Sequence, residues 1–332
     1  MALNPSRRLT LIATRKETQR SSFSRHVGEG LTSSPKRLPC RYLYDKEGST
    51  LFEEICTLPE YYLTRAETEI LRRQGTAIAG LFPHQTQLVE LGGGNSTKTR
   101  LLIEAFLRQQ KVLHYWTVDI SSTVLEKASM ALLRNYSRLE ITAVAAEYRS
   151  GLLKVQRRGE QVWLILWLGS NVGNLDRGEA AVFLAGIRDR MLTGDGLLIG
   201  IDLRKRRHLL ERAYDDSRGV TARFNLNLLA RVNRELGGHF DLTAFRHRTL
   251  YNEEAGRVEM YLVSTRKQTV RIELLQAEIH FQAGESIHTE NSYKYSIDEI
   301  NSLAQASGFE VSQQWLDSES QFSLNLFVPG DA

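Results

Sequence analysis

The sequence of 332 residues predicts an α/β fold, a doubly wound parallel sheet joined to a second, α+β domain. Three observations predict it. Strand and helix signals alternate from residue 86 to 203, which is the signature of parallel β-strands joined by crossover helices. One of those strands, "VWLILWLGS" at 162–170, is apolar without interruption, as a strand covered on both faces must be. After 203 the alternation stops and gives way to paired helices and then consecutive strands.

Taken in order, residues 1–65 lack the alternating pattern and are expected to group with the segment after 203. "TQLVELGGG" (86–94) reads as a strand entering a glycine turn, and "STKTRLLIEAFLRQQ" (96–110) as an amphipathic helix. "LHYWTVDIS" (113–121), "LEITAVAAEY" (139–148), "QVWLILWLGSNVGNL" (161–175) and "DGLLIGIDL" (195–203) continue the strands. "STVLEKASMALLRNY" (122–136) and "RGEAAVFLAGIRDRML" (177–192) are the helices between them. Beyond 203, residues 207–238 read as two helices ended by Gly237–Gly238. "RVEMYLVSTRKQTVRIELLQAEIHF" (257–281) reads as an antiparallel hairpin with a charged turn. "GESIHTENSYKYS" (284–296) is hydrophilic yet strand-like; alternation would place His288, Glu290, Ser292 and Lys294 on one face and Thr289, Asn291, Tyr293 and Tyr295 on the other. "SIDEINSLAQASGF" (296–309) opens with a Ser296/Glu299 capping box, and "FSLNLFVPG" (322–330) is a final strand. The expected domains are therefore 66–203 plus 295–332 for the parallel sheet, and 1–65 plus 204–294 for the other.

Composition narrows the function. With 42% hydrophobic and 25% charged residues the chain is an ordinary globular one. No apolar run approaches the roughly 18–20 residues of a membrane span, and the basic start has no apolar core of a secretory signal. A cytoplasmic protein is expected. Cys40 and Cys56 have no metal or redox spacing, the eight histidines are scattered, and no metal is expected. The net charge of +4 raises nucleic acid as a partner. Much of the excess sits in the first 41 residues and in "DLRKRRHLLER", without any recognisable RNA- or DNA-binding pattern, so a solvated surface is the better reading.

"VELGGGNSTKT" (89–99) stands at the carboxyl end of the first predicted strand of the alternation, where a nucleotide belongs. Its glycines admit a ligand close to the backbone, but it is neither GxGxxG nor a phosphate loop. Asp119 ends the next strand, placed to accept from two ribose hydroxyls. This combination favours S-adenosylmethionine (SAM) over a dinucleotide; a glycine turn serving only tight packing is the alternative. Glu147 and Tyr148 follow the next strand, near an adenine, and "LGSNVGNL" sets Gly169, Gly173 and Asn174 beside the transferred methyl group. Glycine carbonyls and an amide suit an amine acceptor.

These stretches, with "LYDKEGSTLFEEICTLPEYYLTRAETEIL" (43–71), "AYDDSRGVTARFNLNLLARVNRELGGHFDL" (213–242) and "YNEEAGRVEMYLVS" (251–264), resemble the histidine Nα-methyltransferases of ergothioneine biosynthesis over nearly the whole chain. The resemblance implies a Rossmann-like SAM-dependent methyltransferase sheet with an α+β substrate-binding domain, acting as a monomer on L-histidine to give hercynine and S-adenosylhomocysteine (SAH). By matching motifs it implies Glu290 and Ser292 as readers of the imidazole, with Tyr61 against the same ring. Asn174 and Tyr214 would take the carboxylate. Tyr44, Phe52 and the Gly169 carbonyl would surround the amine, and Met260 would line the pocket. Gly92, Lys98, Asp119, Glu147 and Tyr148 would hold SAM. The match departs from the family at Leu63, where proline is expected and a local backbone change would follow, in "LGGGNST", and at Glu147, where aspartate is commoner. A relative acting on another amino acid, an RNA-binding protein and a SAM-binding regulator without turnover are the competing readings.

Overall fold

In the computed structural model, which describes residues 8–13 and 16–330, the chain divides into two units. One comprises Met1–Thr14, Leu63–Arg204 and Lys294–Ala332, the other Arg15–Tyr62 and Lys205–Tyr293. The outermost parts of the expected boundaries, residues 1–7 and 331–332, lie outside the described residues.

The first unit is an eight-stranded sheet in the order β1-β5-β4-β3-β6-β7-β14-β13. β1 is Leu9–Ala13, β3 Thr86–Leu91, β4 Leu113–Asp119, β5 Leu139–Ala145, β6 Val162–Trp167, β7 Gly196–Asp202, β13 Phe309–Leu316 and β14 Phe322–Pro329. β1 and β3 to β7 run parallel; β14 returns antiparallel beside β7, and β13 pairs antiparallel with β14. The predicted alternation is present: α4 (Arg100–Gln109), α5 (Ser122–Asn135) and α7 (Arg177–Arg188) connect the strands. Every residue of β3 and β7 is buried, and β6 is buried after its first residue. The chain leaves β3 first towards β4 and β5, then returns to β6 on its other side. That reversal opens a crevice at the carboxyl ends of β3 and β6, the place where such sheets bind ligands.

Two corrections concern this unit. Residues 9–13 do not go with the segment after 203: β1 pairs with β5 from Leu9↔Ile141 to Ala13↔Ala145. Buried Arg8 fixes the approach by donating to the Tyr136 and Leu139 carbonyls at 2.7 and 2.8 Å. Leu63 alters no element, because it opens α3 (Leu63–Gly80), at a helix start where proline would also be accommodated. The predicted capping box of α10 (Ile297–Ala306) is made by Ser296 and Glu299. Burial raises the Glu299 carboxyl, but Arg204, the Ser296 amide and Arg177 outweigh it and bring it down to about 2.

The second unit holds a four-stranded sheet, order β2-β12-β9-β8, and a separate pair β10-β11. Its strands are β2 (Lys36–Arg37), β8 (Phe245–Asn252), β9 (Arg257–Ser264), β10 (Gln268–Ile272), β11 (Ala277–Phe281) and β12 (Ser286–Tyr293). α1 (Lys16–Thr32), α2 (Lys46–Ile55), α8 (Arg207–Tyr214) and α9 (Val220–Leu236) complete it. α9 buries Phe224, Leu228, Val232 and Leu236 along one stripe and ends at Gly237, φ 63°. The hairpin expected across residues 257–281 is not formed as such: β9 pairs with β8 and β12, while β10 pairs with β11. The charged segment at residues 265–267 thus joins two sheets. β8 was hidden by its basic residues, Arg246, His247 and Arg248. Among the described residues no helix is long and apolar enough to cross a membrane.

Candidate functional site

The candidate residues gather in two sets, one in each unit. In the sheet unit, β3 delivers the chain into Gly92–Gly94. Gly92 has φ 80°, and a Cβ there would lie 2.7 Å from the Tyr148 Oη and 2.9 Å from the Asn171 Nδ2. Gly93 is as constrained, its missing Cβ lying 2.1 Å from the Thr117 Oγ1, while Gly94 faces open space. The turn is therefore a backbone cradle that side chains would fill. Asp119 ends β4 and accepts the Gly94 N–H at 3.2 Å and the Ser121 N–H at 2.9 Å. Burial raises its carboxyl above the ordinary range. Tyr148 packs edge-on against Trp167 at 6.2 Å between ring centres and near Phe183, so its ring is held in place. Glu147 is exposed at the start of α6 (Tyr148–Leu152). Gly92, Asp119 and Tyr148 thus share the carboxyl ends of adjacent strands, a donor and acceptor set that fits a nucleoside.

Beneath this turn lies Glu90, buried and hydrogen-bonded by Thr99 at 2.5 Å and by Tyr115. Burial pushes its carboxyl up to about 7. Lys98 does not simply point outward: its ammonium is paired with Glu67 of α3. Glu67 also accepts the Gly169 N–H at 2.9 and 3.0 Å. Sequence reasoning missed Glu67, although a signal existed. It falls in the apolar stripe Leu63, Glu67, Ile70, Leu71 of α3, where a carboxylate is out of place. Gly169 (φ 80°) and Asn174, at the end of the short turn Asn171–Asn174, follow β6.

In the second unit β12 carries a bulge between His288 and Glu290, and this corrects the expected alternation. Beyond the bulge Glu290 stands opposite Met260 and Ser292 opposite Val258. His288 stands opposite Tyr261 instead, packs edge-on against that ring at 5.3 Å, and bonds Asn291 at 2.8 Å. The opposite face thus holds Arg257, Glu259, Tyr261, His288, Asn291 and Tyr293, tied together around the Glu259 carboxylate. Glu290 and Ser292 turn the other way and are buried at 7% and 4% exposure. Lys294, which strict alternation set beside them, is fully buried in the sheet unit and ion-paired with Asp202 at 2.7 Å.

Ser292 meets the Tyr214 hydroxyl at 2.8 Å. Tyr214 packs edge-on against Tyr61 (6.1 Å), Tyr61 against Phe52 (6.1 Å), and Phe52 against Tyr44 (5.3 Å). Phe224 closes the cluster at 5.4 Å from Tyr44 and 5.9 Å from Phe52. Its place in the apolar stripe of α9 gave it the look of an ordinary core residue. Tyr61 is buried, and burial, with Tyr214, Cys56, Tyr44 and Glu290 nearby, raises its phenol well above the ordinary value. It keeps its proton throughout the neutral range and can donate a hydrogen bond. The Tyr214 carbonyl is held by Thr249 and by the His247 Nε2, both at 2.9 Å, while the His247 Nδ1 faces the Asn225 amide nitrogen at 2.9 Å. That pattern needs a neutral imidazole, and burial lowers the His247 pKa accordingly. Tyr44 precedes Asp45, whose carboxylate caps α2 through the Gly48 N–H and accepts from Asn227, both at 2.8 Å.

An acid and a hydroxyl inside an aromatic enclosure suit a small, flat ring bearing N–H groups. Among the described residues no group of His, Cys, Asp and Glu is placed to hold a metal.

Residues 23–329 match the family described as "Histidine-specific methyltransferase, SAM-dependent". A histidine N-alpha-methyltransferase of Mycobacterium tuberculosis is 41% identical over 92% of this chain and 94% of its own. One of Mycolicibacterium smegmatis is 40% identical, covering 92% and 95%. Ergothioneine biosynthesis protein 1 of Neurospora crassa is 34% identical over 89% of this chain, which corresponds to 33% of that longer protein.

Proposed function

Because the chain belongs to the histidine-specific, SAM-dependent methyltransferases, we propose that it methylates the α-amine of L-histidine in ergothioneine biosynthesis, three transfers giving hercynine. The observation that carries the choice of substrate is the buried pair Glu290 and Ser292, turned together into an enclosure of Tyr44, Phe52, Tyr61 and Tyr214. Ionised Glu290 accepts an imidazole N–H in a charge-assisted bond. The Ser292 hydroxyl, already oriented by Tyr214, donates or accepts at the ring as the tautomer requires. An indole or phenol offers no second ring nitrogen to this pair, so amino acids carrying them fit it poorly.

SAM, when bound, supplies an electrophilic methyl group on a sulfonium. Gly92 and Gly94 would give it close backbone approach, Asp119 would take ribose hydroxyls, Tyr148 and Glu147 would face the adenine, and Lys98 would offer its charge. By the family resemblance, Asn174 and Tyr214 are the candidates for the amino acid's carboxylate and the Gly169 carbonyl is the candidate for the amine, whose lone pair must be free before each transfer. Positioning supplies much of the rate in such a displacement. Tyr44 is the candidate to receive or relay the amine proton, since Glu290 serves the ring end. Tyr44 and Phe52 present aromatic faces that favour the growing ammonium charge. A monomer in the cytoplasm remains part of the reading.

The test is purified protein with SAM and each of the twenty amino acids, products read by mass. Histidine alone should gain the mass of three methyl groups. Methylation of another amino acid with histidine untouched would overturn the assignment.

A further inference from the structure

Glu67 is completely buried, an unusual place for a carboxylate unless charge and hydrogen bonds are supplied to it. Both are. Its oxygens accept the Gly169 N–H at 2.9 and 3.0 Å and the Lys98 ammonium. The neighbouring strand makes room for it, since a Cβ on Gly200 would lie 2.0 Å from the Glu67 Oε1. The peptide it holds belongs to a strained turn. Gly169 at φ 80° is followed by Ser170 at φ 58°, a left-handed conformation that costs a serine energy. Bonds that keep that turn include Glu67 on the Gly169 N–H, the Asp202 N–H to the Ser170 Oγ at 3.0 Å, the Asn171 amide to the Leu168 carbonyl at 2.8 Å and the Gly173 N–H to the Ser170 carbonyl at 2.9 Å. The Lys98 Nζ lies within 3.4 Å of where a Gly169 Cβ would stand.

We propose that Glu67 is a positioning residue for methyl transfer, one carboxylate setting both the Lys98 ammonium of the cofactor turn and the Gly169 peptide that faces the amine. The inference rests on the function proposed above. It has two physical parts. A lysine stem is flexible, and an anchored ammonium removes the disorder that would otherwise be lost at binding. The Glu67 charge also balances Lys98 where a sulfonium must be accepted. An ammonium that has lost the Glu67 charge repels cationic SAM more than SAH, whose sulfur is neutral.

The experiment is calorimetric binding of SAM and SAH, with histidine kinetics, for wild type, Glu67→Gln, Glu67→Asp and the double variant Glu67→Gln/Lys98→Met. Glu67→Gln should lose SAM affinity by about tenfold or more while SAH changes by less than about threefold. Its kcat should fall at least about tenfold with the histidine KM little changed. Glu67→Asp, which keeps the charge but not the reach, should recover the SAM-to-SAH ratio without recovering kcat. Should Glu67→Gln fail to fold, the double variant carries the test, because removing both charges of a buried pair is tolerated better than removing one. It should bind SAM and SAH in the wild-type ratio and still turn over slowly. Wild-type kinetics and ratio in Glu67→Gln, or wild-type turnover in the double variant, would overturn the inference while leaving histidine methylation in place. An equal loss of SAM and SAH affinity in Glu67→Gln would reduce Glu67 to a structural part. A wild-type protein that neither binds SAH nor methylates histidine overturns the parent reading and this one together.

Discussion

Glu290 carries the most chemical information per residue. It is buried on the core-facing side of β12, so its free energy depends strongly on what it bonds. Glu290→Ala should weaken histidine binding by roughly 2–3 kcal/mol, the scale of a lost charge-assisted bond, measurable by calorimetry with SAH present. Unchanged affinity would remove Glu290 from ring recognition. Glu290, Ser292 and Tyr61 were legible in the sequence only through the resemblance. An acid in a polar strand ordinarily faces solvent, and nothing in the local pattern marks it as buried. Glu67 shows the converse: its signal was local, an acid in an apolar stripe, yet the resemblance carried no role for it.

Among the elements, the strands from β3 to β7 were readable because each is a short, largely buried, apolar-rich run alternating with a helical period, and β6 is apolar without interruption. β8 and β13 were not. β8 is basic along its exposed side, and β13 is an edge strand whose residues, Glu310, Ser312 and Gln313 among them, largely face water. β12 was readable as a strand but not in its phase, since a bulge leaves no mark in alternation. The same strand runs directly into Lys294, whose fully buried ammonium pairs with fully buried Asp202 at the end of β7. Lys294→Met removes the charge that balances Asp202 and should destabilise the protein by about 3–5 kcal/mol; adding Asp202→Asn should return most of it. Urea unfolding midpoints decide this, and a midpoint unmoved by Lys294→Met would show the pair to be without energetic weight.

At the scale of the molecule, the two-part organisation followed from where the alternation stops, at residue 203, but β1 escaped it. A short strand ahead of a long non-alternating stretch has no sequence neighbour to betray its partner, and between it and β5 the chain passes through Arg15–Tyr62 of the other unit. Stability of the whole also inherits a pH dependence from one group. Burial raises Glu90 from 4.5 to about 7, so between those values the folded protein keeps a proton that the unfolded chain has released. Its contribution is therefore greatest below the unfolded value, declines as pH rises to about 7, and then stays level. Glu90→Gln cannot ionise. Compared with wild type it should gain stability between about pH 5 and pH 8, by an amount on the order of 3 kcal/mol. Parallel melting curves for the two proteins at both pH values would refute this.

The bulge in β12 has a consequence for the enzyme's own chemistry. Without it, His288 would share a face with Glu290, and the protein would present an imidazole to the carboxylate proposed above to read one. A tethered ring acts at an effective concentration of about millimolar or more, so it would rival free histidine as an internal inhibitor. One extra residue in the strand turns His288 to the other side, where Asn291 and Tyr261 engage it, and so keeps it away from the proposed reader.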